Sequence, residues 1–218
     1  DHDYSLQKDV FDYDPDLLPF IVQAIKKAGL RFINISGGEP LITDANYKLL
    51  KYLIENDATN IHLAYSTNLS KLNYKKIDLL SIWDKFDKVL LEASCDGWGD
   101  AVEYSRTGFD RKIFFDNLAK ARRHINRINC VVNIYSVWTL PYIENLCDKF
   151  KIKPVYAPCF LPDFLNPQHL LREDKDELQK LYAPYPRLTQ LFNTYIDRDK
   201  ITLGKDMCEY NLLLDEYR

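Results

Sequence analysis

Five short apolar runs alternate with longer helix-type stretches between residues 14 and 157, and this alternation constrains the fold more than any other feature. Asp14-Pro15 pairs an N-cap residue with a proline at the first helical position. Leu17, Leu18, Ile21, Val22 and Ile25 follow on one face until Gly29 ends the helix. Strand Arg31–Ser36 comes next, then a glycine turn and a helix capped by Thr43 with Leu49, Leu50, Leu53 and Ile54 inward. Strand Ile61–Thr67 leads to a helix carrying Ile77, Leu80, Ile82, Trp83 and Phe86. The pattern continues with strand Lys88–Ser94, a helix from Asp110 to about Ile125, strand Ile128–Val137, helix Thr139–Phe150 and strand Pro154–Ala157. Strands separated by helices imply an α/β fold with a mostly parallel sheet and right-handed crossovers.

The strands are not apolar on both sides. Val89, Leu91 and Ala93 share one parity of their strand, and Leu90, Glu92 and Ser94 the other. Ile33 and Ile35 oppose Phe32, Asn34 and Ser36, while Asn133 shares a parity with Val131 and Tyr135. A doubly wound sheet buried on both faces reads as nearly continuous apolar sequence. One polar face suits a barrel, or part of one, with a polar lumen. After residue 160 the pattern weakens among prolines, with short helices expected at Glu173–Tyr182 and Arg187–Ile196. Residues 1–160 are therefore expected to form the core and residues 161–218 a helical C-terminal extension packed on it, with Leu188, Leu191, Phe192 and Tyr195 facing inward.

Composition narrows the partners. The 218 residues are 46% hydrophobic, enough for one large domain or one domain with an appendage. A net charge of −3, from 29 Lys+Arg against 32 Asp+Glu, points to neither nucleic acid nor an anionic membrane. No apolar run approaches the roughly 18–20 residues of a membrane span. The polar opening Asp1-His2-Asp3-Tyr4-Ser5 does not read as a signal peptide. Five scattered cysteines, Cys95, Cys130, Cys147, Cys159 and Cys208, lack the spacing of a metal knuckle or redox pair, so no metal ligand is assigned and a reducing cytoplasm is expected. Cys95 and Cys130 lie in apolar strands as small core hydrophobes.

In a parallel α/β barrel the working residues sit at the carboxyl ends of strands. The first such end here is Gly37-Gly38-Glu39-Pro40. Two glycines allow φ > 0 and close approach to a ligand, and Pro40 restricts Glu39 to extended geometry. The result is an aimed, acceptor-only charge suited to an ammonium group. A phosphate in this turn is disfavoured, because the carboxylate repels it. The other ends supply Ser66-Thr67-Asn68, Ser94-Cys95-Asp96-Gly97 with Arg106 beyond it, and Asn133 to Ser136.

Ile35-Ser-Gly-Gly-Glu-Pro-Leu41, Tyr65-Ser-Thr-Asn-Leu69, and Ala93-Ser-Cys-Asp-Gly-Trp98 with Tyr104-Ser-Arg-Thr-Gly108 together resemble the radical S-adenosylmethionine superfamily. The similarity is greatest to the branch with a twitch or SPASM-type extension, and it runs from about residue 14 to residue 160. The resemblance implies a partial (β/α)6 barrel. It implies that Gly37, Gly38 and Glu39, with Pro40 fixing the turn, bind the amino group of S-adenosylmethionine, and that Arg106 pairs with the cofactor carboxylate. It further implies polar ribose contacts from Ser94 and Asp96, and cofactor or substrate contacts from Asn68 and Asn133. Main-chain groups at Tyr156–Pro158 would flank the adenine, and Glu92 is either a structural hydrogen-bonding residue or a substrate contact. The implied reaction is reductive cleavage of S-adenosylmethionine to a 5′-deoxyadenosyl radical, which abstracts hydrogen from a small-molecule or peptide substrate and needs an electron donor. No catalytic residue is assigned.

One departure is large. The superfamily holds a 4Fe–4S cluster with three closely spaced cysteines after its first strand, and neither that triplet nor that strand is present here. The expectation is an N-terminally incomplete sequence. The alternative is a cluster-free S-adenosylmethionine-binding protein without radical chemistry.

Overall fold

The computed structural model describes residues 17–198. The N-cap pair Asp14-Pro15 and Cys208 lie outside the described residues. In chain order the elements are α1 (Leu17–Ala28), β1 (Phe32–Ile35), α2 (Asp44–Glu55), β2 (His62–Thr67), β3 (Asn73–Tyr74), β4 (Ile77–Asp78), α3 (Leu79–Trp83) and β5 (Lys88–Ser94). Then come α4 (Asp100–Ser105), α5 (Arg111–Lys120), β6 (Ile125–Val132), α6 (Leu140–Phe150), β7 (Lys153–Pro158), α7 (Arg172–Tyr182) and α8 (Pro186–Leu191). The class is α/β, with β1, β2, β5, β6 and β7 hydrogen-bonded in that order in a mostly parallel sheet. By their contacts the described residues fall into two compact units, 17–67 with 71–91 and 68–70 with 92–198.

In the first unit, β1 pairs with β2 in parallel register from Phe32 opposite His62 to Ile35 opposite Tyr65. Helix α2 begins where Thr43 predicts, since its hydroxyl accepts the Asn46 N–H at 3.4 Å. Leu50 and Leu53 are fully buried with Ile25, Leu41, Ile61, Leu63, Tyr65 and Trp83. Removal from water stabilises each such side chain by about 1.5–3 kcal/mol before entropy is subtracted. The Tyr65 hydroxyl finds its partner in Asn46 Oδ1 at 3.0 Å. Leu17 departs from the expected apolar face and stands 52% exposed at the start of α1.

The expected helix around Ile77–Phe86 needs correction. Its first part is a two-stranded antiparallel hairpin, β3 with β4, and only Leu79–Trp83 is helical. The hairpin turns at Lys75 and Lys76, which hold φ of 46° and 68°. Consecutive positive φ values are what a tight two-residue hairpin requires, and glycine or asparagine normally supplies them. Tertiary contacts hold the turn instead. Lys75 Nζ donates to both Asp44 carboxylate oxygens at 2.7 and 2.8 Å, and Tyr74 stacks on Tyr47 at 4.7 Å between ring centroids.

In the second unit, β6 pairs with β7 in parallel register from Arg127 opposite Lys153 to Val132 opposite Pro158. Both ends of β6 differ from the sequence expectation. Helix α5 stops at Lys120 and the strand already starts at Ile125, whose side chain is buried. It ends at Val132 because Asn133 draws the chain into a turn. Asn133 Oδ1 accepts the N–H groups of Tyr135 at 2.9 Å and Ser136 at 3.1 Å. Such local side-chain bonds compete with a strand ladder. Asn133 therefore lies past the strand, with no strand parity to share with Tyr135.

The C-terminal helices pack as a core extension. Leu178 and Tyr182 of α7, Leu188 and Leu191 of α8, and Phe192 and Ile196 beyond it cluster with Val132, Val137 and Leu140. Tyr195, expected in this stripe, is 37% exposed, and Ile196 is buried in its place. A π turn over Phe192–Ile196, closed by Asp197 N–H to Phe192 O at 3.0 Å, sets this register. Glu144 of α6 is buried and takes a bidentate grip from Arg187 of α8, at 3.0 and 2.6 Å to Oε2. The Tyr156 hydroxyl donates to Glu144 Oε1 at 2.9 Å.

Candidate functional site

Each unit carries one group of the residues singled out by the sequence. In the first unit the chain leaves β1 into Gly37 and Gly38, at φ of 97° and 31°. A side chain at either position would meet nothing within 4 Å. The glycines are therefore needed for backbone conformation, and they leave the main chain bare toward any ligand. Glu39 is extended, at φ −124° and ψ 99°, and Pro40 starts a short 3₁₀ turn, as their sequence order implies. The Glu39 carboxylate is held, with Oε1 accepting the Leu41 N–H at 3.2 Å and the Thr67 hydroxyl at 2.6 Å. Thr67 is buried at the end of β2.

Beside this turn lies a cavity of about 520 Å³ lined by Ile35, Ser36, Gly37, Gly38, Pro40 and Asn46, among others. Asn46 is 3% exposed, and its Nδ2 has no hydrogen-bond partner among the described residues. Sequence reasoning missed both Thr67 and Asn46 as members of this site. Thr67 belongs to the Ser-Thr-Asn strand end, which was a visible signal, whereas a buried Asn on a helix face carries none.

In the second unit, Asn68, Asp96 and Arg106 form one network. Arg106 Nη1 donates to Asp96 Oδ2 at 3.0 Å, and its Nη2 donates to Asn68 Oδ1. Asp96 Oδ1 accepts the Val131 N–H at 2.9 Å. These bonds occupy two of the five guanidinium donors. Arg106 and Asp96 are only partly exposed, at 26% and 20%, so the pair is desolvated enough to hold its geometry. Among the described residues no hydrogen bond joins Ser94 or Asn133 to this network. Ser94 is the half-buried last residue of β5, and Asn133 organises its own turn.

Gly97 follows Asp96 for a different reason from Gly37. A Cβ there would come within 2.7 Å of Thr139 Oγ1 and 2.8 Å of Ser136 Cβ. The close approach lets the Trp98 N–H donate to Thr139 Oγ1 at 2.9 Å. Glu92, half-buried on β5, pairs with Arg127, and Asn129 Nδ2 donates to it at 3.2 Å.

The cysteines behave as core residues. Burial pushes the Cys95 and Cys147 thiols up to about 12, and it raises Cys130 and Cys159 as well. Among the described residues no group of three or more His, Cys, Asp or Glu side chains is placed to hold a metal ion. No helix among them is long and apolar enough to cross a membrane. No family model matches the chain, and no curated protein matches it either.

Proposed function

We propose that this chain is a radical S-adenosylmethionine enzyme, built on a partial (β/α)6 barrel with a twitch or SPASM-like extension and working in a reducing cytoplasm. The observation that carries the reading is the Glu39 carboxylate, fixed after two glycines by the Thr67 hydroxyl at 2.6 Å and the Leu41 N–H. A fixed anion over bare main chain is a receptor for an ammonium group. Glu39 binds and orients the cofactor's amino group, and Gly37 and Gly38 keep side chains out of its way. Asn46 Nδ2, buried beside the turn, supplies a donor to an oxygen of the ligand.

Arg106 takes the cofactor carboxylate with the donors that Asp96 and Asn68 leave it. Asp96 already offsets its charge, so its contribution is orientation more than net attraction. Ser94 and Asp96 contact the ribose in this reading, and Asn68 and Asn133 touch cofactor or substrate. When bound and given one electron by an external donor, S-adenosylmethionine would supply methionine and a 5′-deoxyadenosyl radical, the latter for hydrogen abstraction from a small-molecule or peptide substrate. The described residues do not fit a 4Fe–4S cluster, since the four cysteines among them are dispersed and buried.

Two experiments test the reading. Equilibrium dialysis compares S-adenosylmethionine with an analogue lacking the amino group, and equal binding of the two contradicts the role of Glu39. Anaerobic reconstitution with iron, sulfide and a reductant then separates enzyme from binder. In the protein expressed from its whole reading frame, 5′-deoxyadenosine formation supports the radical enzyme. Binding without that product supports the cluster-free S-adenosylmethionine-binding protein.

A further inference from the structure

A second cavity in the first unit, about 410 Å³, opens between α2 and the β3–β4–α3 segment. Its apolar surface comes from Tyr47 and Ile54 of α2, Ile77 of β4 and Ile82 of α3. Ile77 is 38% exposed, a large apolar side chain left toward solvent in a two-residue strand. The cavity has the volume of a small-molecule site, for which the range is about 300–1,000 Å³.

The charged residues around it are not balanced. Lys48, Lys51 and Lys85 face Asp44 and Glu55 at its rim. Asp44 is already neutralised by Lys75, which holds its carboxyl below the ordinary value of 3.8, and Tyr74 also donates to it. Lys51 pairs with Glu55 at 3.6 Å. Among the described residues no carboxylate lies within ion-pair distance of Lys48 or Lys85, although the Lys48 charge also helps hold the Asp44 carboxyl down. The rim is thus locally cationic on a chain whose net charge is −3. An apolar floor beneath a rim with an excess of ammonium groups complements one kind of ligand, a hydrocarbon body with an anionic head.

We propose that this cavity binds a free medium-chain fatty acid anion, its alkyl chain over Ile54, Ile77 and Ile82 and its carboxylate toward Lys48 and Lys85. A single alkyl chain enters a concavity of this size, whereas a bilayer surface does not. The site is separate from the Gly-Gly-Glu-Pro turn, and the inference stands or falls without it.

Titration calorimetry of the 218-residue chain with decanoate, below its micelle-forming concentration, tests the proposal. Decyltrimethylammonium and anionic phospholipid vesicles serve as comparators. The expected result is saturable one-to-one binding of decanoate and none of the cation. Affinity should fall about tenfold in the double variant Lys48→Glu/Lys85→Glu, as loss of two exposed charge contacts implies. Ile82→Asp should abolish binding, and circular dichroism melting checks that each variant is folded. If the charge-reversed protein does not fold, Lys48→Gln/Lys85→Gln reads the same effect in the same direction. Equal affinity for decanoate and the cation overturns the proposal. So does unsaturable uptake, undiminished binding in the lysine variants, or vesicle binding without decanoate binding.

Discussion

The Thr67 hydroxyl donates to Glu39 Oε1 at 2.6 Å, tying the end of β2 to the glycine turn that follows β1. The two residues are 28 positions apart, so the carboxylate's aim is a tertiary property. A hydrogen bond to a charged group contributes about 1.5–3 kcal/mol. Thr67→Val should lower the melting temperature by several degrees, at about 2–4 °C per kcal/mol for a chain of this size. It should also weaken S-adenosylmethionine several-fold, while Thr67→Ser keeps both. Differential scanning calorimetry and a binding titration check the two effects separately.

Lys76 sits at φ 68° in the hairpin turn, a conformation that costs an L-residue about 1–2 kcal/mol. It is exposed, and the Asp44 contact belongs to Lys75. Lys76→Gly should therefore stabilise the protein by about 0.5–1 kcal/mol after its extra unfolded-state entropy is subtracted. Thermal melting reads this as a rise of a few degrees at most. A fall would show that the Lys76 side chain has a role its exposure does not reveal.

Glu144 is 4% exposed at its side chain and depends on Arg187 for its charge balance, with Tyr156 as second partner. Arg187→Met leaves a buried carboxylate short of donors and should cost on the order of 2–3 kcal/mol in urea denaturation. The estimate stays at that level because Arg187 itself is 47% exposed and solvent screens the pair. Adding Glu144→Leu to Arg187→Met should recover most of the loss.

Burial makes the Cys95 and Cys147 thiols harder to ionise in the folded chain, with values near 12 against an ordinary 9.0. The stability this contributes is complete below pH 9 and is lost as the pH rises toward 12, because the unfolded chain ionises first. Unfolding midpoints should therefore fall steadily over that alkaline window. At pH 8, mass-spectrometric mapping should find Cys95, Cys130, Cys147 and Cys159 unmodified by iodoacetamide until denaturant is added.

Much of the fold was legible because local and tertiary preferences agree. Lys88–Ser94 has the same limits in the structure as in its apolar alternation, and Thr43 caps α2 as its position suggests. The misreadings fall where a distant contact decides. Lys75-Lys76 carries no hairpin signal, and the turn depends on Asp44 and on Tyr47, which lie well before it in the chain. Asn133 looked like a strand residue because its role in bonding Tyr135 and Ser136 leaves no periodic trace. At the site, Glu39 was visible from its glycines and proline, but the bonds that fix it and pair Arg106 with Asp96 were not.

The most direct test of the central claim is a calorimetric titration of S-adenosylmethionine into the wild-type chain and into Glu39→Gln. Glutamine preserves the size of the side chain and its capacity to accept the Thr67 and Leu41 bonds, but it removes the charge that the ammonium group requires. The account predicts saturable binding to the wild type and at least about a tenfold loss in the variant, with melting lowered by only a few degrees because a neutral acceptor keeps both bonds in weaker form. Equal affinities, or no binding to the wild-type chain, would contradict it.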